Sequence, residues 1–385
     1  MPDGGFAEPG RSAGADATTA WCVMAFRAAG VDPGSVRVNG NSPLDFLATQ
    51  SGSWHSVTDY ERTLMAVAAG GGNPRSFGGV DLVAKVQSYQ RAGGNIGDAI
   101  NSNAFGILAY RAAGLAIPPG AVDWHKSRQN GDGGWGNSPG AASNPDMTAA
   151  SIMALRAAGV SPEDASIQNA LAHLHSIQNA DGGFSFQPGS SDVSATAWCV
   201  QAIVAAGQDP AGAGWSKGGN TPHGFVASMQ ASDGRFYWMQ GADKNPVWTT
   251  AYAVCALAGK PYPVGVTYAT SPGGQEGAGS GEAAGGEPAP APGGTGQEPE
   301  APGGDAEETA ESPVEEEKAQ EPGTAAAAVA ESEDEAPAVS KVETAGEKEP
   351  DGSAGGTSFL IWLIPVLVAV PLLSLGGWRL YLRYR

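Results

Sequence analysis

Along the first two-thirds of the chain, apolar positions fall into two alternating kinds of segment. One kind is Ala-rich and apolar nearly all round, as in Ala17-Thr18-Thr19-Ala20-Trp21-Cys22-Val23-Met24-Ala25-Phe26-Arg27-Ala28-Ala29-Gly30. Comparable segments cover residues 59–70, 102–114, 148–159, 194–207 and 249–259, each closing on alanine and glycine. Alanine, leucine and methionine favour helix, and a terminal glycine supplies a left-handed C-cap. Six helices buried on all sides are therefore predicted. The second kind keeps a polar face: Ile167, Leu171, Leu174 and Ile177 recur at spacings of three and four, which predicts an amphipathic helix over 166–178. Related segments are 43–50, 80–90, 120–129 and 219–230. The expected arrangement has two layers, apolar helices inside and amphipathic ones outside, each unit burying its face only against its neighbours.

A recurring motif marks the joints. It reads Gln129-Asn130-Gly131-Asp132-Gly133-Gly134-Trp135 and Gln178-Asn179-Ala180-Asp181-Gly182-Gly183-Phe184, and again from Gln230 through Asp233 to Phe236 with Arg235 as the second glycine's replacement. Weaker copies run over 50–54 and 90–96, and Pro2-Asp3-Gly4-Gly5-Phe6 opens the chain without its glutamine. Aspartate accepts backbone hydrogen bonds in turns, and glycine reaches angles closed to other residues. The motif is thus expected to be structural, its glutamine and aromatic covering one another to lock adjacent units. Six inner segments face only five outer ones. The missing glutamine falls one residue before Met1, so the natural protein is expected to begin further upstream, with a signal peptide and the first outer helix.

The Gln…Asp-Gly-Gly-Trp/Phe motif, with the Thr-Ala-Trp-Cys and Ala-Ala-Gly helices, resembles the repeats of the protein prenyltransferase and squalene-hopene cyclase superfamily. The resemblance covers about residues 1–263. It implies an all-α fold, an α/α toroid of about six helix hairpins around a central cavity, where spacing alone equally allows an open solenoid.

The active relatives predict residues that can be sought. Cyclases protonate an alkene with an acid in an Asp-x-Asp-Asp motif at an inner-helix start, where neighbouring carboxylates keep it protonated. The nearest match is Asp192-Val193-Ser194-Ala195, with both later acids missing. Asp16, Asp59 and Asp146 lie near other inner-helix starts and, with Asp192, are candidates for a polar rim, although aspartates there commonly serve as N-caps. Trp21, Phe105, Trp198 and Tyr252 are candidates to line the cavity or to form core. The zinc set of Asp, Cys and His used by prenyltransferases is not found: Cys22, Cys199 and Cys255 lie in inner helices without the required partners. No metal and no cofactor is evident. Similar toroids bind cobalamin, which leaves no short motif; the Cys-Gly-Glu-Gln of thioester domains is absent.

Composition divides the rest of the chain. Between 264 and 357, Gly, Ala, Pro and Glu dominate, and residues 265–357 carry a net charge of −18 out of the chain's −19. Such a segment is expected to be a disordered stalk, and its acidity argues against nucleic-acid binding. Residues 358–378 form an uncharged apolar run of bilayer-spanning length, followed by a basic tail at 379–385. The positive-inside rule then puts the C-terminus in the cytoplasm and the N-terminal domain outside. With both catalytic sets missing, the leading expectation is a single-pass membrane protein whose extracellular toroid binds a ligand or cell-surface partner without catalysis. The alternatives are a terpenoid cyclase or prenyltransferase-like enzyme and a cobalamin-type binder.

Overall fold

The computed structural model describes residues 1–186 and 189–268. Six inner helices run in the same direction: α1 (Asp16–Ala28), α3 (Val57–Ala69), α5 (Ile100–Ala112), α7 (Pro145–Ala157), α9 (Val193–Ala205) and α11 (Pro246–Leu257). Five helices form the outer layer, all but α8 shorter than the inner ones: α2 (Pro43–Ala48), α4 (Leu82–Gln87), α6 (Pro119–Lys126), α8 (Ala165–Ile177) and α10 (Pro222–Ser228). Each inner helix packs against the next, and α11 packs against α1. That last contact closes the array, so the fold is an α/α toroid and not an open solenoid. No β-strand occurs among the described residues, only isolated bridges at the joints.

The inner helices begin two or three residues before most of the expected starts because the caps lie further upstream. Asn144 accepts a hydrogen bond from the Met147 amide at 2.8 Å, and Pro145 follows at the first helical position, where its missing N–H costs nothing. Ser56 and Asp59 form a reciprocal capping box on α3.

The motif does its work through backbone groups. Gln178 Nε2 donates to the Gly182 carbonyl at 3.0 Å and to the Trp215 carbonyl at 2.9 Å, tying its own turn to the next unit. Gln129 does the same with Gly133 and Ser166. Asp132 and Asp181 each accept from the second glycine's N–H and from Ser143 or Ser191. Asp233 accepts from the Arg235 amide, and Gln230 reaches Gly234 at 3.3 Å. The glutamine amide therefore bonds backbone carbonyls at the joint. Trp135, Phe184 and Phe236 go into the core, and an inner-helix hydroxyl, from Thr148, Thr196 or Thr250, accepts each one's backbone N–H.

Gly182 shows how little room the joint leaves. Its φ is +87°, and a Cβ there would lie 2.7 Å from the Thr221 backbone nitrogen and oxygen. Gly182→Ala is expected to cost about 1–3 kcal/mol, read as a lower urea midpoint with an unchanged slope.

The seam between α1 and α11 has its own clasp. Asn245 has a left-handed φ of 47° and offers α11 no side-chain cap. Glu8, from the opening loop, replaces it: Oε2 accepts from the Val247 amide at 3.0 Å and Oε1 from the Trp248 amide at 2.9 Å. A carboxylate on two free helix N–H groups also matches the positive end of the helix dipole. Glu8→Ala is expected to lower stability by about 1–2 kcal/mol, measured by thermal melting.

The ring extends past Pro263 into the segment expected to be a stalk. Val264 is buried, and the charges of Arg111 and Arg156 act on Tyr268. The rest of the expected stalk, the apolar run at 358–378 and the basic tail lie outside the described residues. Among the described residues no helix is long and apolar enough to cross a membrane.

Candidate functional site on the toroid axis

Four of the inner helices bring aromatic rings to the axis. Trp21, Phe105 and Trp198 are each the sixth residue of a thirteen-residue helix, α1, α5 and α9. Their ring centroids lie 5.8–6.2 Å apart, although none of these helices are ring neighbours. Tyr252 of α11 joins at 5.2 Å from Trp21 and 5.4 Å from Trp198, with Trp248 one turn earlier, 6.3 Å from Trp21. All four aromatic candidates are thus brought together, but they fill the axis instead of lining an open cavity. The reason is volume: three alternate helices contribute a large ring at one level. The same sixth position is Arg62 on α3 and Ala150 on α7.

Above these rings the N-terminal ends of the inner helices form a mouth. Phe105, Trp248, Arg62 and Asp146 are all half-buried there. The four aspartates of the expected rim divide by employment. Asp59 completes the capping box of α3 and holds the Arg62 guanidinium at 2.8 Å. Asp192 caps α9, accepting from the Ala195 amide at 2.8 Å and the Phe186 amide at 3.2 Å. Asp16 accepts from its neighbour's amide and from the Ser53 hydroxyl at 3.1 Å. Asp146 is relieved of capping, because Asn144 already caps α7, and unlike Asp16 it finds no hydroxyl partner for its Oδ1.

Relieved of that duty, the Asp146 carboxyl turns inward. Its Oδ1 is enclosed without a hydrogen-bond partner. Burial, reinforced by the negative charge of Asp192, pushes its pKa up to about 8. Asp146 is therefore a neutral acid at pH 7, with its proton available. Burial also raises Asp192, against the hydrogen bonds that stabilise its anion. The charges of Asp146 and Arg62 both act on the buried Tyr252 hydroxyl, which puts the acid, the cation and the aromatic cluster in one electrostatic site.

Of the remaining titratable candidates, Cys199 lies beside the site, its thiol facing the Pro145 carbonyl and raised by burial and by the charges of Asp146 and Asp192. His125 is buried against Trp135, 5.5 Å between centroids, and burial pushes it down to about 3, so it carries no proton to give at neutral pH. The three thiols are free and buried, and burial raises Cys255 to about 12. Among the described residues no group of three His, Cys, Asp or Glu gathers as metal ligands. Sequence reasoning missed Arg62, Trp248 and Tyr262. The first was legible as the sixth residue of its helix, the second as one turn before Tyr252, and the third lies past the last repeat.

Comparison with known proteins bears on this geometry. Drimenyl diphosphate synthase of Streptantibioticus cattleyicolor is 40% identical over 92 residues, which is 21% of this chain and 17% of that enzyme. The described residues of this chain form an α/α toroid. The chain spans only a small part of that curated relative's length. No protein-family model matches it. Among solved structures, the toroid is similar to the type II terpene cyclase MstE from Scytonema, with a TM-score of 0.48 at 16% identity, covering 66% of this chain and 90% of that one. It is also similar to ent-copalyl diphosphate synthase from Streptomyces platensis, with a TM-score of 0.42 at 19% identity, covering 63% of this chain and 50% of that one. A glycosidase scores 0.46 at 14% identity, covering 67% and 92%.

Proposed function

We propose that the N-terminal mouth of the toroid is an acid site of the terpenoid-cyclase type. Asp146 gives its proton to an alkene of an isoprenoid chain held against the aromatic cluster. The observation that carries this reading is the half-buried Asp146 carboxyl, which caps no helix and whose Oδ1 is enclosed without a hydrogen-bond partner beside a set of π faces. Protonation moves the alkene's electron pair onto the proton and leaves a carbocation on the neighbouring carbon. Aromatic faces attract such a charge. The Asp146 carboxylate left behind is the base to which a proton returns when the cation collapses to a product alkene. Incubating the full chain with farnesyl and geranylgeranyl substrates and finding no cyclised product by mass spectrometry would remove the reading.

One observation favours binding without catalysis: the axial rings touch, so a ligand has to displace something to enter. The same packing argues against a flat macrocycle such as a corrin between the rings. Intact isoprenoid co-purifying with the protein, and never converted, is the outcome that selects this second reading. The apolar run at 358–378 and the basic residues after it support attachment to a membrane with the toroid outside. Protease added to intact cells is then expected to remove the toroid.

A further inference from the structure

The three cysteines occupy two kinds of place in the repeat. Cys22 is the seventh residue of α1, and Cys199 is the seventh of α9. The Cys199 thiol faces back to the preceding inner helix, where the Pro145 carbonyl accepts from it at 3.9 Å. By the same register Cys22 faces the helix before α1 in the closed ring, which is α11. Its surroundings agree. Burial raises the Cys22 thiol, and the charges that add to this are those of Glu8, which caps α11, and of Cys255 on α11 itself.

Cys255 faces the other way. The register of α11 runs one place late: Thr250, its fifth residue, does for Phe236 what the fourth residues Thr148 and Thr196 do for Trp135 and Phe184. Cys255, the tenth residue, therefore stands at the ninth place of the repeat, two beyond the place of Cys22. Two residues turn an α-helix by about 200°, so the ninth place faces forward where the seventh faces back. The helix after α11 is α1. Because the inner helices run in one direction, the two thiols differ in height by only about 3 Å. Ala25 and Ala251, one turn from each, are small and buried, which lets the two helices approach closely. Cys199 has no such counterpart, since the ninth residue of α7 is Met153.

We infer that Cys22 and Cys255 are the two halves of a disulfide across the α1–α11 seam, with Cys199 left as a solitary core thiol. All three thiols are free here, so this is the reduced state. A small-molecule disulfide is the oxidant. The Cys22 thiolate attacks one of its sulfurs and releases the other as a thiol; the Cys255 thiolate then attacks the Cys22 sulfur and releases the second. The two cysteine protons end on the released thiols, and two electrons pass to the oxidant. Burial raises Cys255 as it does Cys22, so neither ionises while the seam is shut, and exchange proceeds when the seam parts and both meet water. Cys255 gives up the Tyr262 hydroxyl, its partner in the reduced protein. An oxidising exterior suits such a bond and matches the exported toroid proposed above. The pairing does not depend on the acid site.

The full chain in detergent, held with oxidised glutathione at a urea concentration below its midpoint, tests this. After denaturation, alkylation and digestion, mass spectrometry is expected to find the Cys22 and Cys255 peptides linked and Cys199 alkylated. The linked chain is expected to unfold in urea about tenfold more slowly than the reduced one, or slower still, a difference that a thiol reductant abolishes. Cys22→Ala and Cys255→Ala are each expected to lose this response to oxidant, whereas Cys199→Ala keeps it. Three alkylated thiols, glutathione adducts without the link, a link to Cys199, or equal unfolding rates in the two redox states overturn the proposal. The first measurements use the unaltered chain and decide the matter even where a variant fails to fold.

Discussion

Asp146→Asn is expected to abolish proton transfer at the toroid mouth, lowering turnover of an isoprenoid substrate by about 10²–10⁴ while the fold persists. Asparagine keeps the shape of the carboxyl and removes its acidity. Because Asp146 is raised to about 8, the active form is the protonated one. The rate should be level from neutral pH downward and fall about tenfold per pH unit above 8. A variant that retains its rate, or a profile that rises through pH 8, would show that the proton comes from elsewhere. Asp192→Asn separates cause from bystander. Removing its charge should lower the pKa of Asp146 and move the edge of the profile to lower pH, although loss of the α9 cap will also cost stability.

The second large effect concerns Glu61, on α3 next to Arg62. It is wholly buried, and neither carboxyl oxygen has a hydrogen-bond partner. The corresponding fifth residues of α1, α5, α7 and α9 are Ala20, Ala104, Ala149 and Ala197. Burial raises the Glu61 pKa well above the usual carboxylate range, opposed only by Arg62. The folded protein therefore holds a proton that the unfolded chain has released. Stability is fully present below the unfolded value, near 4.5. It falls by about 1.4 kcal/mol per pH unit as pH rises towards the folded value. Glu61→Met removes the buried acid at similar volume. It is expected to raise stability by about 1–3 kcal/mol at pH 5 and by more at pH 8. Asp146 contributes a slope of the same sign up to about 8 and is unchanged in the variant. Urea denaturation at both pH values checks this, and parallel pH slopes in the variant and the unaltered protein would sink it.

Much of the fold was legible because it is written several times over. The Ala-rich segments with terminal glycines place all six inner helices, and the Gln…Asp-Gly-Gly-aromatic joints place the units. Ring closure was not legible, because Glu8 and α11 are far apart in sequence and no pattern joins them. The rim was half legible. Asp59, Asp146 and Asp192 look alike as acids near helix starts, yet two are caps and one is free. The difference lies in the residues before each: Asn144-Pro145 supplies a cap and a first helical residue, which pushes Asp146 one place inside the helix. That signal was present in the sequence and is physical. Glu61 gave no warning, since an acid inside an apolar helix reads as an exposed position. Tyr262 lies beyond the last repeat, where periodicity has nothing more to say.

The clasp of Glu8 on α11 also shapes how the ring comes apart. Every other junction between inner helices joins units adjacent in sequence, whereas the clasp spans 239 and 240 residues. Local junctions form early and cheaply, and the seam has to await the whole array. The toroid should therefore behave as a linear stack that acquires one cooperative bond late. Its terminal units should open as a subglobal unit, with amides near residues 4–15 and 245–250 exchanging before those of α5 and α7. Joining the two ends covalently at the seam would convert that late step into a permanent one, raising the unfolding barrier more than the refolding rate.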